Sequence, residues 1–180
     1  MSLRTAARWA VMLAEKLGAD EAEAYVTHTI SRTLSFHNTI ETGRTSLLSG
    51  IGVRAILGKR WGFFSSSSTE KEEIGNVVKS AISIAKASEP DPDWRSLPTR
   101  TGKKTVTGIF DRKTAELQSD SLVKCAIGTI DFVKDMDKRL SLTTSVLGSS
   151  STTTAISNSH GCDLVRRSTA AGFSITVQAE

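Results

Sequence analysis

Residues 50–66, Gly-Ile-Gly-Val-Arg-Ala-Ile-Leu-Gly-Lys-Arg-Trp-Gly-Phe-Phe-Ser-Ser, constrain the fold most, because they write a β-hairpin that runs straight into a helix start. Ile51, Val53, Ala55 and Leu57 alternate with Gly52, Arg54 and Ile56 at the two-residue period of a strand, which assigns one set to a buried face. Gly58-Lys59 suits a two-residue turn that needs a positive φ at its first central position, and Trp61, Phe63 and Ser65 carry the return strand. Thr69 and Glu72 stand at capping-box spacing, so hydroxyl and carboxylate each satisfy an orphan N–H of a helix opening near Glu70.

The flanking segments extend this pattern. Leu3, Ala6, Ala10, Leu13 and Leu17 recur at helical spacing from about Ser2 to Leu17, and Gly18 stops the helix. Its arginines also fit an organelle-targeting peptide, but Glu15 and the cluster Asp20, Glu21 and Glu23 favour a helix packed on its own domain. Residues 22–36 read as a long strand with Ala22, Ala24, Val26, Ile30, Leu34 and Phe36 on one face. His28 and Arg32 fall on that face, as ligand groups or as hydrogen-bonded members of the sheet. Residues 39–49 predict a further strand leading into the hairpin. The helix from Glu70 to about Ser88 aligns Ile74, Val77, Val78, Ala81, Ile84 and Ala85.

All three prolines, Pro90, Pro92 and Pro98, fall in the next stretch with Gly102 and the pair Lys103-Lys104. The expected organisation is therefore a first α+β domain over 1–89, a Pro-containing linker over 90–110, and a central α+β region over 111–180. In the last region a helix is predicted from Ser119, whose hydroxyl caps it, with Leu122, Cys125, Ala126, Ile130, Val133 and Met136 as its buried stripe. Strands follow from Leu140, one ending at Ser157 before a tight Asn158 to Gly161 turn, then over 163–167 and 173–177. The fold class this implies is α+β: mostly antiparallel β-sheets with two main helices plus an N-terminal helix.

Tests for resident chemistry return little. No Gly-x-Ser-x-Gly turn accompanies a histidine and an acid, no Gly-Lys-Ser/Thr sequence opens a helix, and Asp131, Asp135 and Asp137 lack the glycine and terminal glutamate of a calcium loop. His160 and Cys162 offer two ligands where zinc needs three or four. Cys125 and Cys162 match no metal spacing and read as free thiols in a reducing, cytoplasmic setting. No apolar run approaches the length of a membrane span, and no secretory leader pattern is present. A net charge of +4 disperses over 23 basic and 19 acidic residues, so it describes a solvated surface more readily than a nucleic-acid patch. Arg54, Lys59 and Arg60 around the hairpin, with Arg166 and Arg167, are the candidate contacts for a peptide, an acidic partner or, as a minor alternative, nucleic acid.

The hairpin and helix, together with Ala19-Asp20-Glu21-Ala22-Glu23-Ala24-Tyr25, Ile84-Ala85-Lys86, Pro90-Asp91-Pro92, Ala155-Ile156-Ser157-Asn158-Ser159-His160-Gly161 and the closing Ser174 to Glu180, resemble in their order the N-terminal region of the TldD/PmbA family. That family comprises zinc metallopeptidases and metal-free partner subunits, and an older label calls its members modulators of DNA gyrase. The resemblance implies cleavage of extended or unfolded peptides inside a closed homo- or heterodimer, with metal-bound water attacking the carbonyl. The family's zinc motif, a helical His-Glu with a second His four residues after the Glu and a later cysteine, has no counterpart at His28, His37 or His160. No catalytic, cofactor or metal residue is therefore transferred, zinc is expected only if the full-length protein carries the downstream motif, and the chain is expected to be a fragment. Its expected role is to shape the chamber and hold substrate by strand addition to a sheet edge. The alternative is a metal-free assembly subunit for a catalytic partner.

Overall fold

The computed structural model describes residues 1–99 and 106–179. Gly102, Lys103, Lys104 and Glu180, singled out in the sequence, lie outside the described residues. The elements run α1 (Leu3–Lys16), β1 (Glu21–Phe36), β2 (Ile40–Leu57), β3 (Arg60–Ser66), α2 (Lys71–Ala87), α3 (Arg112–Ala115), α4 (Ser119–Met136), β4 (Leu140–Leu142), β5 (Ser145–Asn158), β6 (Asp163–Ser174) and β7 (Val177–Ala179). Among the described residues the strands form one sheet in the order β3-β2-β1-β5-β6 and a separate antiparallel pair, β4-β7. Ser159 N–H donates to Ala22 C=O and the Thr29 and Thr152 hydroxyls meet at 3.0 Å, so β1 and β5 also run in opposite directions. The fold is α+β and antiparallel, with an N-terminal helix and two further main helices, as the sequence predicts.

By compactness the chain divides into two units. The first comprises Met1–His28, Leu48–Val106 and Thr153–Arg166, and the second Thr29–Leu47, Thr107–Thr152 and Arg167–Glu180. In the first, α1 and α2 cover the sheet over Ala6, Ala10, Ala14, Ala22, Ala24, Val26, Val53, Ile74, Val77 and Val78. Alanines dominate the α1 side because a small side chain lets a helix backbone approach its neighbours closely, and burying Ile74 fully contributes about 2–3 kcal/mol. In the second unit Leu34, Phe36 and Leu147 pack with Leu122, Ala126, Ile130 and Val133 of α4.

The hairpin turn differs from its expectation. Both Gly58 (φ 56°) and Lys59 (φ 67°) are left-handed, which is the twist-matched geometry of a type I′ turn, so the second position also needs positive φ. The return strand pairs as expected, from Leu57 with Arg60 to Ile51 with Ser66. Gly62, rather than an aromatic, is the β3 residue buried beneath α2.

The helices keep their predicted spans with altered caps and faces. The capping box does not form: Glu70 occupies the N-cap without a side-chain bond, and the hydroxyls of Ser66 and Ser68 instead accept from Ser68 N–H and Glu70 N–H. Ile82, not Ile84, completes the buried face of α2, because α2 also packs on α1 and its buried arc is wider than a sheet alone would require. Ser119 is the first helical residue of α4 and caps nothing, the N-cap being Gln118. Cys125 and Met136 are exposed, since α4 buries a narrower stripe of Leu122, Ala126, Ile130 and Val133. The strands expected over 163–167 and 173–177 are one strand, β6, ending at Ser174, after which β7 starts afresh on β4.

Candidate functional site

Three of the five candidate basic residues lie on the hairpin, Arg54 along β2 and Lys59 and Arg60 at its turn. Arg54 on β2 faces Phe63 in register and donates to the Glu23 carboxylate at 2.9 Å. Lys59 Nζ reaches Pro92 C=O at 3.3 Å, and Asp91 N–H donates to Lys59 C=O at 3.0 Å, so the segment after α2 is tied to the turn. Asp20 completes that tip by accepting Gly58 N–H at 2.7 Å. Arg60 opens β3, exposed. Arg166 and Arg167 lie on β6, where consecutive residues point to opposite faces of a strand. Arg167, in the second unit, stacks its guanidinium 3.9 Å from the centre of the Phe110 ring.

The hairpin also carries exposed aromatics. Trp61 (48% exposed) and Phe63 (52% exposed) share one face of β3, Phe64 stands on the other face, and Tyr25 is exposed on β1. Phe63 lies over Gly52, whose missing side chain makes room: a β-carbon there would stand 2.9 Å from Phe63 Cζ.

Two constellations in the first unit were not read from the sequence. Glu21 accepts from Leu97 N–H at 2.6 Å, the Ser96 hydroxyl at 3.2 Å and Trp94 Nε1 at 3.4 Å, and its carboxylate lies 3.1 Å from His160 Nε2. Asn158 holds the same segment by donating to Pro98 C=O at 2.8 Å, while its Oδ1 accepts from His160 N–H and Cys162 N–H. Asp163, at the start of β6, is gripped by Arg4 (2.7 Å) and Arg8 of α1. The hydrogen bond from Arg4 holds the Asp163 carboxyl below the usual carboxylate range, with Arg8 adding to it against the opposing effect of burial. The i, i+4 spacing of Arg4 and Arg8 was the available signal, since it puts both on one helical face.

The polar residues considered as ligands have structural partners or open surroundings. His28 Nδ1 and Ser49 Oγ share a hydrogen bond of 2.7 Å between strands. Arg32 lines an open groove of about 460 Å³ in the second unit with Ser31, Thr33, Gly148, Ala171 and Phe173. Cys162 has its thiol pushed up by burial first, then by the carboxylates of Glu23 and Asp163, so it is a poor thiolate ligand. Among the described residues no group of three or more His, Cys, Asp or Glu is placed to hold a metal ion. The described residues therefore do not fit a zinc centre.

This arrangement, a hairpin feeding a helix on an antiparallel sheet, is found in known proteins. Residues 22–85 match the family model described as PmbA/TldA metallopeptidase domain 1. The structure of TldE from Thermococcus kodakarensis superposes with a TM-score of 0.89 at 26% identity, over 97% of this chain and 39% of that one. Two proteins described as candidate modulators of DNA gyrase share the fold. The one from Bacteroides thetaiotaomicron has a TM-score of 0.82 at 20% identity, over 98% of this chain and 41% of its own. The one from Thermotoga maritima has a TM-score of 0.80 at 13% identity, over 99% of this chain and 40% of its own. No curated protein matches the chain in sequence. Residues 22–85 thus carry the first domain of the PmbA/TldA family, and the chain spans about two-fifths of the length of these solved relatives.

Proposed function

We propose that this chain is the non-catalytic N-terminal portion of a TldD/PmbA-like metallopeptidase, shaping the chamber in which peptides or unfolded proteins are cleaved and contributing to a homo- or heterodimer. The observation that carries the reading is the match of residues 22–85 to the first domain of a metallopeptidase family. The described residues bring no metal-holding group together, so any hydrolytic centre belongs to another part of the protein or to a partner. What this portion offers instead is surface: paired strands, exposed aromatics on β3 and a basic hairpin tip.

The test is a chimaera in which this chain replaces the corresponding portion of a family member that carries the His-Glu motif. Peptide hydrolysis is expected from the chimaera and not from the 180-residue chain. Hydrolysis by the chain alone, or a folded chimaera without activity, overturns the reading. Mixing the chain with a complete catalytic subunit asks the remaining question: activity that rises only in that mixture identifies a metal-free assembly subunit.

A further inference from the structure

We propose that the sheet face turned away from α1 and α2 binds single-stranded nucleic acid, stacking bases on Tyr25, Trp61 and Phe63 and taking phosphates at Lys59 and Arg60. The inference goes beyond the chamber reading and does not rest on it. Gly62 of β3 lies against the backbone of α2, so Trp61 and Phe63, its neighbours along the strand, point to the opposite face. Arg54 stands in register with Phe63 and bonds Glu23 of β1, which puts these residues on that same face. β1 and β2 run antiparallel, since Asp20 N–H donates to Ile56 C=O while His28 bonds Ser49 further along. Tyr25 therefore stands beside Gly52, and the Phe63 ring lies over that same glycine.

Three aromatic side chains, each about half exposed, thus gather on one face within the first unit. Trp61 and Phe63 are two residues apart, about 7 Å along the strand, so each ring accepts one base of an extended chain whose neighbouring bases are unstacked. A side chain at position 52 would collide with the Phe63 ring, and glycine there keeps the floor between Tyr25 and Phe63 clear. Toward Glu21 the face ends under the segment of Trp94, Ser96 and Leu97 gathered on that carboxylate, where Ile56 is buried.

Charge selects the occupant. Lys59 and Arg60 stand at the turn end of the hairpin, and among the described residues neither forms a salt bridge. Arg54 neutralises Glu23 with one of its donors and keeps others for base edges beside Phe63. Asp20, which accepts Gly58 N–H, and Asp91, whose N–H bonds Lys59 C=O, offset part of the charge at the tip, so stacking carries most of the affinity. Bases cover the three rings while phosphates reach the tip. An acidic peptide would meet the cations and leave the flat ring faces without a partner of matching shape.

The experiment adds the 180-residue chain to labelled oligothymidylate, oligouridylate and a duplex of the same length, and follows fluorescence anisotropy. Saturable binding of both single strands is expected, because stacking reads the base faces and not the sugar, with none of the duplex, whose bases are already stacked. Phe63→Ala and Trp61→Ala should each weaken binding at least fivefold while keeping the parent's circular dichroism spectrum, since both rings are half exposed. Two phosphate contacts give a slope of about −1.4 for log affinity against log salt, and Arg60→Gln should reduce it to about −0.7. Absence of saturable binding, equal binding of the duplex, or unchanged affinity in either ring variant overturns the proposal. A slope steeper than about −3 does so too, because the affinity would then lie in scattered phosphate contacts. A capped hexapeptide of alternating valine and threonine that displaces the oligonucleotide and binds more tightly assigns the face to polypeptide and overturns it equally. Activity of the chimaera has no bearing on these outcomes, so this proposal and the chamber reading fail separately.

Discussion

Gly62 of β3 lies so close to α2 that a β-carbon at this position would stand 2.1 Å from the carbonyl oxygen of Ala81 and 2.4 Å from the amide nitrogen of Ala85. The obstruction is backbone on both counts, so no side-chain rotation relieves it. Gly62→Ala must push α2 off the sheet, and a loss of about 3 kcal/mol is expected. Gly52→Ala is the informative comparison: its new methyl meets the end of the exposed Phe63 ring at 2.9 Å, which can swing away, and the expected cost is about 1 kcal/mol. Urea unfolding of both variants checks the order. Equal losses would mean that α2 does not depend on this contact.

Asp163 joins β6 to α1 through Arg4 and Arg8, and the pair gives a pH signature. The folded carboxyl is held below its ordinary value, with the Arg4 hydrogen bond as the first cause. A depressed folded pKa contributes stability above the unfolded value, near 3.9, and that contribution is lost as pH falls through the folded value. Both arginines are about half exposed, so solvent screening limits the contribution to about 0.5–1 kcal/mol. Asp163→Asn should therefore be less stable than the parent by that amount at pH 7, and the two should converge as pH falls through the lowered folded value. Denaturation at a series of pH values measures the gap. A gap that persists unchanged into acid would show that the aspartate acts by shape rather than charge.

The parts of the fold legible in the sequence are those decided by local chemistry. The period-two alternation from Ala22 to Phe36 and the Gly58-Lys59 turn locate β1 and the hairpin, and Gly18 stops α1 with φ 97°. The caps expected at Thr69 and Ser119 are local errors, but the misplaced buried faces depend on neighbours distant in sequence. Ile82 is buried and Ile84 exposed because α1 packs on α2, which the stripe of α2 alone does not reveal. Cys125 is exposed because α4 has a core on only one side. The compact units were similarly beyond a linear reading, since residues of β1, β2, β5 and β6 are divided between them. Of the candidate site, the basic hairpin residues were visible as composition, but the bonds of Lys59 to Pro92 and of Glu21 to Leu97 join residues too far apart in sequence to be read from it.

The two cysteines differ enough to be told apart by rate. Cys125 is exposed on α4, whereas Cys162 is half-buried, with its thiol pushed up by burial and by the nearby Glu23 and Asp163 carboxylates. Since the thiolate is the reacting form, a disulfide reagent at pH 8 should modify Cys125 at least tenfold faster than Cys162. Cys125→Ser should remove the fast phase and change stability by less than about 0.5 kcal/mol, as expected for an exposed position. Two equal phases would place Cys162 in a more open setting than the β5–β6 turn provides.

Glu21 organises the segment after α2 by concentrating the donors of Trp94, Ser96 and Leu97 on one carboxylate, beside His160. Leu97 is buried, so its N–H at 2.6 Å has the shortest of these bonds and the least access to water if that bond is lost. Glu21→Gln keeps the side-chain shape, removes the charge and replaces one acceptor oxygen with a donor that opposes the donors already gathered there. A charge-assisted bond contributes about 1.5–3 kcal/mol, so the Leu97 amide should exchange with solvent at least tenfold faster in the variant. Amides of α4 should be unaffected, because the segment belongs to the first unit and α4 to the second. Asn158→Ala, which removes the side-chain bond to Pro98 C=O, should accelerate the same amide further when combined with Glu21→Gln. Acceleration spread evenly over the sheet would mean that both variants had loosened the whole fold, and the segment would then have no separate latch. Acceleration confined to residues 94–98 would establish that Glu21 and Asn158 hold this segment independently of the core beneath α1 and α2.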